Sequence, residues 1–416
     1  MSLAVVGARL NGEAVGLRAE GGTIAELGPA VLSRAGDEVI DASGRALVPG
    51  LVNGHTHAAM TLFRGHGDDV PLMEWLENVI WPVESRLDDQ DVYWGTRLAC
   101  VEMVRSGTVR FWDMYWRPGA TARAVEDAGL RATIGAPLID AGNATRETKL
   151  RDAAERSLAE IGAPRELVQP ALAPHAIYTV SEPSLRWVAE TAEARGLPIH
   201  IHLSETEDEV DRCVEAHGAR PAHYLERLGL LGPRTLLAHG VWLDDAELAL
   251  IAAREATVVT NPVANLKLAV GRVFPYSRAR VHGAHVGLGT DGAGSNNSLD
   301  LFQDLKTFAL LQKHEARDPA AVSAREAWEL ATGARSPLLA GSGRIETGEP
   351  ADFLLLRADS PELGIGDFTA DLVYAASGAV VDTTVVNGRV LMRDGSVEGA
   401  EEVLAKARER AQRLGL

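Results

Sequence analysis

Cysteine is almost missing from this chain of 416 residues: only Cys100 and Cys213 occur, far apart and in no C-x-x-C. That scarcity excludes a disulfide scaffold, a zinc ribbon and a dithiol redox centre, and it fits a reducing cytosol. Long apolar runs are missing as well. No stretch approaches the ~18 unbroken apolar residues of a membrane span, and no basic segment leads into an apolar one at the N-terminus. Basic charge is in deficit, with 41 Lys and Arg against 58 Asp and Glu and a formal net charge of -17. Without a local basic patch such a chain repels polyanions, so nucleic acid and membrane surfaces are excluded as partners. The expected location is the cytoplasm.

What is present is globular material: 46% hydrophobic and 24% charged residues, enough apolar surface for a core and too little charge for general disorder. The length suggests about two to three domains, or one large barrel with additions. The first 48 residues are short β-prone pieces separated by glycine, and the far end repeats that texture in ADFLLLRAD, DTTVVNG and RVLMRDG. Asn387-Gly388 is a strong hairpin dipeptide. Between these ends, apolar strand-like runs alternate with amphipathic helical patterns. The runs fall at 47–54, 108–115, 131–139, 168–174, 197–203, 235–240, 256–262 and 284–291. Eight such runs predict an α/β fold, a distorted (β/α)8 barrel, with an open doubly wound sheet as the alternative. The expected division is a β-sandwich from 1–48 and 343–396, a barrel over 49–342 and a C-terminal amphipathic helix over 397–416.

Unusual polar residues sit at the ends of these strands. The first ends His55-Thr56-His57, the fifth His200-Ile201-His202-Leu203-Ser204-Glu205, the sixth Ala238-His239-Gly240, and the eighth Gly289-Thr290-Asp291-Gly292. Side chains two apart on a strand share a side, and a parallel barrel gathers its strand C-termini on one face. A lone histidine reads most simply as structural. Several at converging strand ends, with a carboxylate, read as a metal site for zinc or another borderline divalent ion. Among Glu205, Glu207, Asp208, Glu209 and Asp211, helix-start electrostatics and solvent explain all but Glu205. That residue lies three beyond His202, within reach of a water that a metal would acidify. Gly287–Gly292 formally matches G-x-G-x-x-G, but its glycines read as room around Asp291 rather than a phosphate cradle. H-E-x-x-H, G-x-S-x-G and P-C-x-x-C do not occur. The two cysteines read as core.

The segment Pro49–His57, His202 with Glu205, His239 and Gly289–Gly292 together resemble the amidohydrolase superfamily over nearly the whole chain. Leu72–Leu76, Ile80–Glu84, Ala173–Ser181, Asn261–Leu268 and Ser295–Asp300 resemble its 5'-methylthioadenosine/S-adenosylhomocysteine deaminase group. The resemblance implies that His55, His57, His202 and Asp291 bind one divalent ion per chain, zinc in preference to other metals. It further implies that Glu205 and His239 flank the attacking water, with Asp291 assisting. Glu84 and His175 would contact the nucleoside, and Trp75 and Ser295 would line the pocket. Where members prefer S-adenosylhomocysteine, two arginines after the third strand hold its carboxylate. Ala136 stands at the first of those positions, and Arg146 is the candidate for the second.

The implied activity is hydrolytic removal of the 6-amino group from an adenine nucleoside with a 5' modification. Candidate substrates are 5'-methylthioadenosine, S-adenosylhomocysteine, 5'-deoxyadenosine and adenosine. The rival within the superfamily is hydrolysis of another ring, such as guanine, pterin, triazine or aminodeoxyfutalosine. The rival from another class is a scaffold that has lost the metal. The expected partner is a small-molecule nucleoside, with a homo-oligomer left open.

Overall fold

Hairpin chemistry organises the N-terminal segment in the computed structural model, which describes residues 2–340 and 344–416 apart from the Ala144 side chain. Strands β1 (Ser2–Leu10) and β2 (Glu13–Glu20) pair antiparallel around Asn11-Gly12, both at positive φ as a two-residue mirror-image turn requires. β3 (Thr23–Gly28) adds to β2, while β4 (Glu38–Asp41) and β5 (Arg45–Pro49) run parallel to β1.

The chain then enters a second sheet. Its strands are β6 (Leu51–Thr56), β7 (Thr108–Met114), β8 (Arg131–Leu138), β9 (Val168–Pro174), β10 (Ile199–Leu203), β11 (Thr235–His239), β12 (Thr257–Thr260) and β13 (His285–Leu288). All eight lie in sequence order, and each pairs parallel with the next. β6, β10 and β11 are buried along their whole length, so the histidines they carry are buried with them. The ends of the order meet where the Asp291 N–H donates to the His55 carbonyl at 3.0 Å. That approach needs glycine: a Cβ on Gly289 would lie 2.8 Å from the His55 nitrogen and 2.4 Å from Asn261 Oδ1. The sheet is therefore a nearly closed barrel, and the open doubly wound alternative is excluded.

β14 (Phe353–Arg357), β15 (Val381–Val386) and β16 (Arg389–Met392) return the chain to the first sheet, β14 pairing antiparallel with β5. Asn387-Gly388 forms the β15–β16 turn. The expected β-sandwich thus takes the form of one mixed eight-stranded sheet from both termini, around Leu3, Val5, Leu17, Ile24, Phe353 and Val385.

Two boundaries differ from expectation. The run 47–54 is two strands in two sheets, broken at Gly50, where a Cβ would meet the Val109 side chain at 2.3 Å. The anticipated 342/343 junction lies outside the described residues. The C-terminal helix spans Ala400–Leu414 and docks on the helix Asp89–Arg105 through Val403, Ala407, Leu414 and an Arg413–Asp91 ion pair. Both cysteines are buried and free. Among the described residues no helix is long and apolar enough to cross a membrane.

Candidate active site

The strand ends deliver their polar side chains to one buried cluster. His55 comes from β6, with its ring centroid 4.9 Å from those of His57 and His202 and 5.4 Å from that of His239. Asp291 follows β13, its Oδ1 3.4 Å from His55 Nε2 and 3.2 Å from His57 Nε2. Three non-glycine residues here sit in the left-handed region: Ser204 (φ 50°), His239 (φ 74°) and Asp291 (φ 61°). Such conformations cost roughly 1 kcal/mol or more and recur where geometry serves function.

Each candidate histidine ligand is aimed by its other nitrogen. His57 Nδ1 donates to the Met114 carbonyl, and His202 Nδ1 donates to the His175 carbonyl at 2.8 Å, so both present Nε2 to the cluster. His55 Nδ1 lies 2.8 Å from Nε2 of His200, a fully buried residue of β10, four strands away in the sheet order. That leaves His55 Nε2 as a buried nitrogen without a hydrogen-bond partner, aimed at the Asp291 carboxylate. Asp291 is itself fixed, accepting from Gly292 N and from Ser295 Oγ, each at 2.8 Å. Burial pushes the His202 and His200 imidazoles well below their ordinary range. Burial would raise the Asp291 carboxyl, but the His55 and His57 imidazoles outweigh it and hold it well below the usual carboxylate range. Burial lowers the His57 imidazole, but the Asp291 carboxylate outweighs it and raises it to about 9. Imidazole nitrogens around an ionised carboxylate suit a borderline divalent ion, whose binding would displace the His57 proton. Ligand atoms lie within 4.8 Å of one another in two overlapping sets, His55–His57–Asp291 and His55–His202–His239.

His239 Nδ1 donates to Asn265 Oδ1 at 2.8 Å and stands 3.8 Å from Glu205 Oε1. Glu205 is buried, and burial raises its carboxyl above the ordinary range, as suits a group that both takes and gives a proton. The other acids of this run divide. Glu207, Asp208 and Asp211 are exposed as expected, but Glu209 is buried and accepts backbone N–H bonds, which corrects its assignment to solvent.

A cleft opens over the cluster. His57, His202, Glu205, His239 and Asp291 form its polar floor, and Trp75, Glu84, His175 and Ser295 line it as well. Apolar side chains supply most of the remaining wall, among them Leu76, Ile80, Trp81, Ile139 and Leu268. Glu84 accepts from Trp116 Nε1 at 3.0 Å; burial raises its carboxyl, and that bond opposes the rise. His175 Nδ1 lies 2.9 Å from Thr179 Oγ1. Arg146, the candidate carboxylate clamp, is exposed and is not among the residues that line the cleft. Ala136, buried in β8, is likewise not part of the lining.

Sequence reasoning gave no role to His200, Asn265, Trp116 or Glu209. His200 had a signal, since it alternates with His202 on one strand, and Asn265 stood inside the recognised Asn261–Leu268 motif. Trp116 had none.

Comparison with known proteins agrees with this geometry. The family model described as the amidohydrolase family matches residues 46–391. A 5'-deoxyadenosine deaminase of Methanoregula boonei is 46% identical over 398 residues, covering 94% of this chain and 90% of the relative. A 5-methylthioadenosine/S-adenosylhomocysteine deaminase of Archaeoglobus fulgidus is 44% identical over 405 residues, covering 96% and 94%. An adenosine deaminase from Xanthomonas campestris, solved with bound zinc, superposes with a TM-score of 0.89 at 32% identity, covering 100% of this chain and 98% of that one. With a barrel, a buried histidine–aspartate cluster and a family match across most of its length, the chain belongs to the amidohydrolase family.

Proposed function

We propose that this protein is a zinc-dependent deaminase of adenine nucleosides carrying an uncharged 5' group, using one ion per chain. One juxtaposition carries the reading: Glu84 and His175 open into the same cleft as Glu205, His239 and Asp291. A carboxylate accepts two donors from a vicinal diol, so Glu84 suits the ribose hydroxyls. A guanine, pterin or triazine ring without ribose would leave that half-buried acid with Trp116 Nε1 but without the diol donors. No Arg or Lys is among the described lining residues, which favours methylthio or plain deoxy substituents over a tail ending in a carboxylate. The names of the relatives support the same substrate class.

His55, His57, His202 and Asp291 would hold the ion. When bound, it supplies Lewis acidity that brings water within reach of ionisation near neutral pH. Glu205 takes a proton from the attacking water and delivers it to ring N1, which prepares C6 for addition. His239, held by Asn265, stabilises charge developing on the added oxygen. Asp291 then removes the second proton from the added hydroxyl and passes it to the 6-amino group; the C6–N bond breaks, ammonia leaves, and the inosine analogue remains. The tip of β9 reads Ala173-Pro174-His175 and offers no lysine to bridge a second ion, which supports a single metal.

Elemental analysis beside an ammonia-release assay tests this. One ion per chain, with release from adenosine analogues and not from guanine or a pterin, is expected. Metal-free active protein, two tightly held ions at full activity, or preference for a ring without ribose would contradict it.

A further inference from the structure

The strand-to-helix turn after β10 carries Glu205, and its backbone is held in an unusual way. The following helix, Glu207–His217, has Thr206 as N-cap, whose hydroxyl accepts from Glu209 N at 3.2 Å. Thr206-x-x-Glu209 therefore has the spacing of a capping box, in which the acid three residues into the helix returns to the N–H of the cap residue itself. Two other helices of this chain do that: Asp91 returns to Asp88 N at 2.8 Å, and Glu247 to Asp244 N at 3.2 Å. Glu209 reaches past its own cap instead. Its Oε1 accepts from Ser204 N and its Oε2 from Glu205 N, each at 2.9 Å.

Those two amides are the ones that orient Glu205. On the opposite side of the turn, the carbonyls of Leu203 and Ser204 accept from Gly240 N and Trp242 N, both at 2.9 Å, tying the turn to the loop after His239. Ser204 is left-handed at φ 50°, a strained state that persists only when its surroundings impose it. Glu209 itself is buried, with 4% of its surface exposed, although it belongs to an otherwise solvent-facing acidic run. A buried carboxylate taking two N–H donors with separate oxygens is a rigid clamp.

We propose that Glu209 is the positioning residue for Glu205, fixing through the Ser204 and Glu205 amides the backbone from which that carboxylate enters the cleft. The proposal rests on the reading of Glu205 as the proton carrier. Glutamine at 209 fills nearly the same volume but has one oxygen, so its amide N–H₂ would face one of the two backbone donors.

In the metal-loaded full-length protein, Glu209→Gln is expected to lower kcat about 10- to 100-fold, the scale of small misplacements of a reacting group. KM should stay within about threefold and metal content should not change, because Glu209 touches neither the cleft nor the ion ligands. In a Glu205→Gln background the same change should cost less than about twofold, since no carrier remains to be misplaced. Thr206→Ala removes the ordinary cap and should lower Tm while leaving kcat within about twofold. Unchanged kcat in Glu209→Gln, a full repeat of its loss in the Glu205→Gln background, or an equal loss from Thr206→Ala would overturn the positioning role alone. A silent Glu205→Gln would overturn the reading of Glu205 and this proposal with it. If Glu209→Gln does not fold, Glu209→Asp serves, because it keeps the charge but loses the reach.

Discussion

Neighbouring acids in the segment Glu205–Asp211 differ more in placement than in chemistry, and substitution separates them. On this account Glu205→Gln retains metal and substrate affinity and loses ~10²-fold or more in kcat, whereas Glu207→Gln, on the exposed side of the same turn, is nearly silent. Steady-state kinetics of the two variants side by side checks this; equal losses would count against it. At the other end of the cleft, Glu84 is assigned the ribose diol. Losing one such partnership leaves buried polar groups unsatisfied at a cost of ~1–3 kcal/mol, so 2'-deoxyadenosine should be clearly poorer than adenosine. Glu84→Ala should erase most of that difference in kcat/KM. Histidines, Asp291 and Glu205 were legible in the sequence because each interrupts an apolar strand at its end. Arg146 is a different case: it follows the right strand, but chain position says nothing about where a long exposed side chain lies. Glu209 was hidden inside a run whose composition has a sufficient explanation in solvent and helix dipole.

Elements were read more securely than their ends. Strands buried on both faces tend to short apolar runs, as in Thr235–His239 and Thr257–Thr260, and through their alternation with helical patterns the barrel strands and their order were visible. The break at Gly50 was not, because an apolar run carries no mark of a change of sheet. The stretch 58–84 mixes 3-10, α and π turns, and its apolar residues divide between the cleft (Met60, Leu72, Leu76, Trp81) and a buried cluster (Ala59, Leu62, Phe63, Val83). No single period announces it. Barrel closure makes an element-scale prediction at Gly289. A methyl there meets the His55 backbone and Asn261, and overpacking of this kind costs ~1–3 kcal/mol. Gly289→Ala should therefore lower the free energy of urea unfolding by about that amount and reduce bound metal, since the pushed residue is a candidate ligand. Gly232→Ala, with open space around the new methyl, should stay within ~0.5 kcal/mol of the parent. Equal stability of the two variants would argue against tight closure at this seam.

At the scale of the molecule, both termini build one sheet beside a barrel whose C-terminal strand face holds the cluster, and the cleft above it has mainly apolar walls with no Arg or Lys among the described lining residues. Fold and family leave the 5' substituent open, because one barrel serves many ring substrates. In the proposed function the wall discriminates: a homocysteine tail brings a carboxylate that must be desolvated, and no arginine, Arg146 included, is among the described lining residues. The measurement that tests this most directly is kcat/KM for 5'-methylthioadenosine, 5'-deoxyadenosine and S-adenosylhomocysteine in one ammonia-release assay on the zinc-loaded protein. The account predicts that the two uncharged substrates do at least as well as S-adenosylhomocysteine. A kcat/KM for S-adenosylhomocysteine more than about tenfold above that for methylthioadenosine, some 1.4 kcal/mol of added transition-state binding, would contradict it.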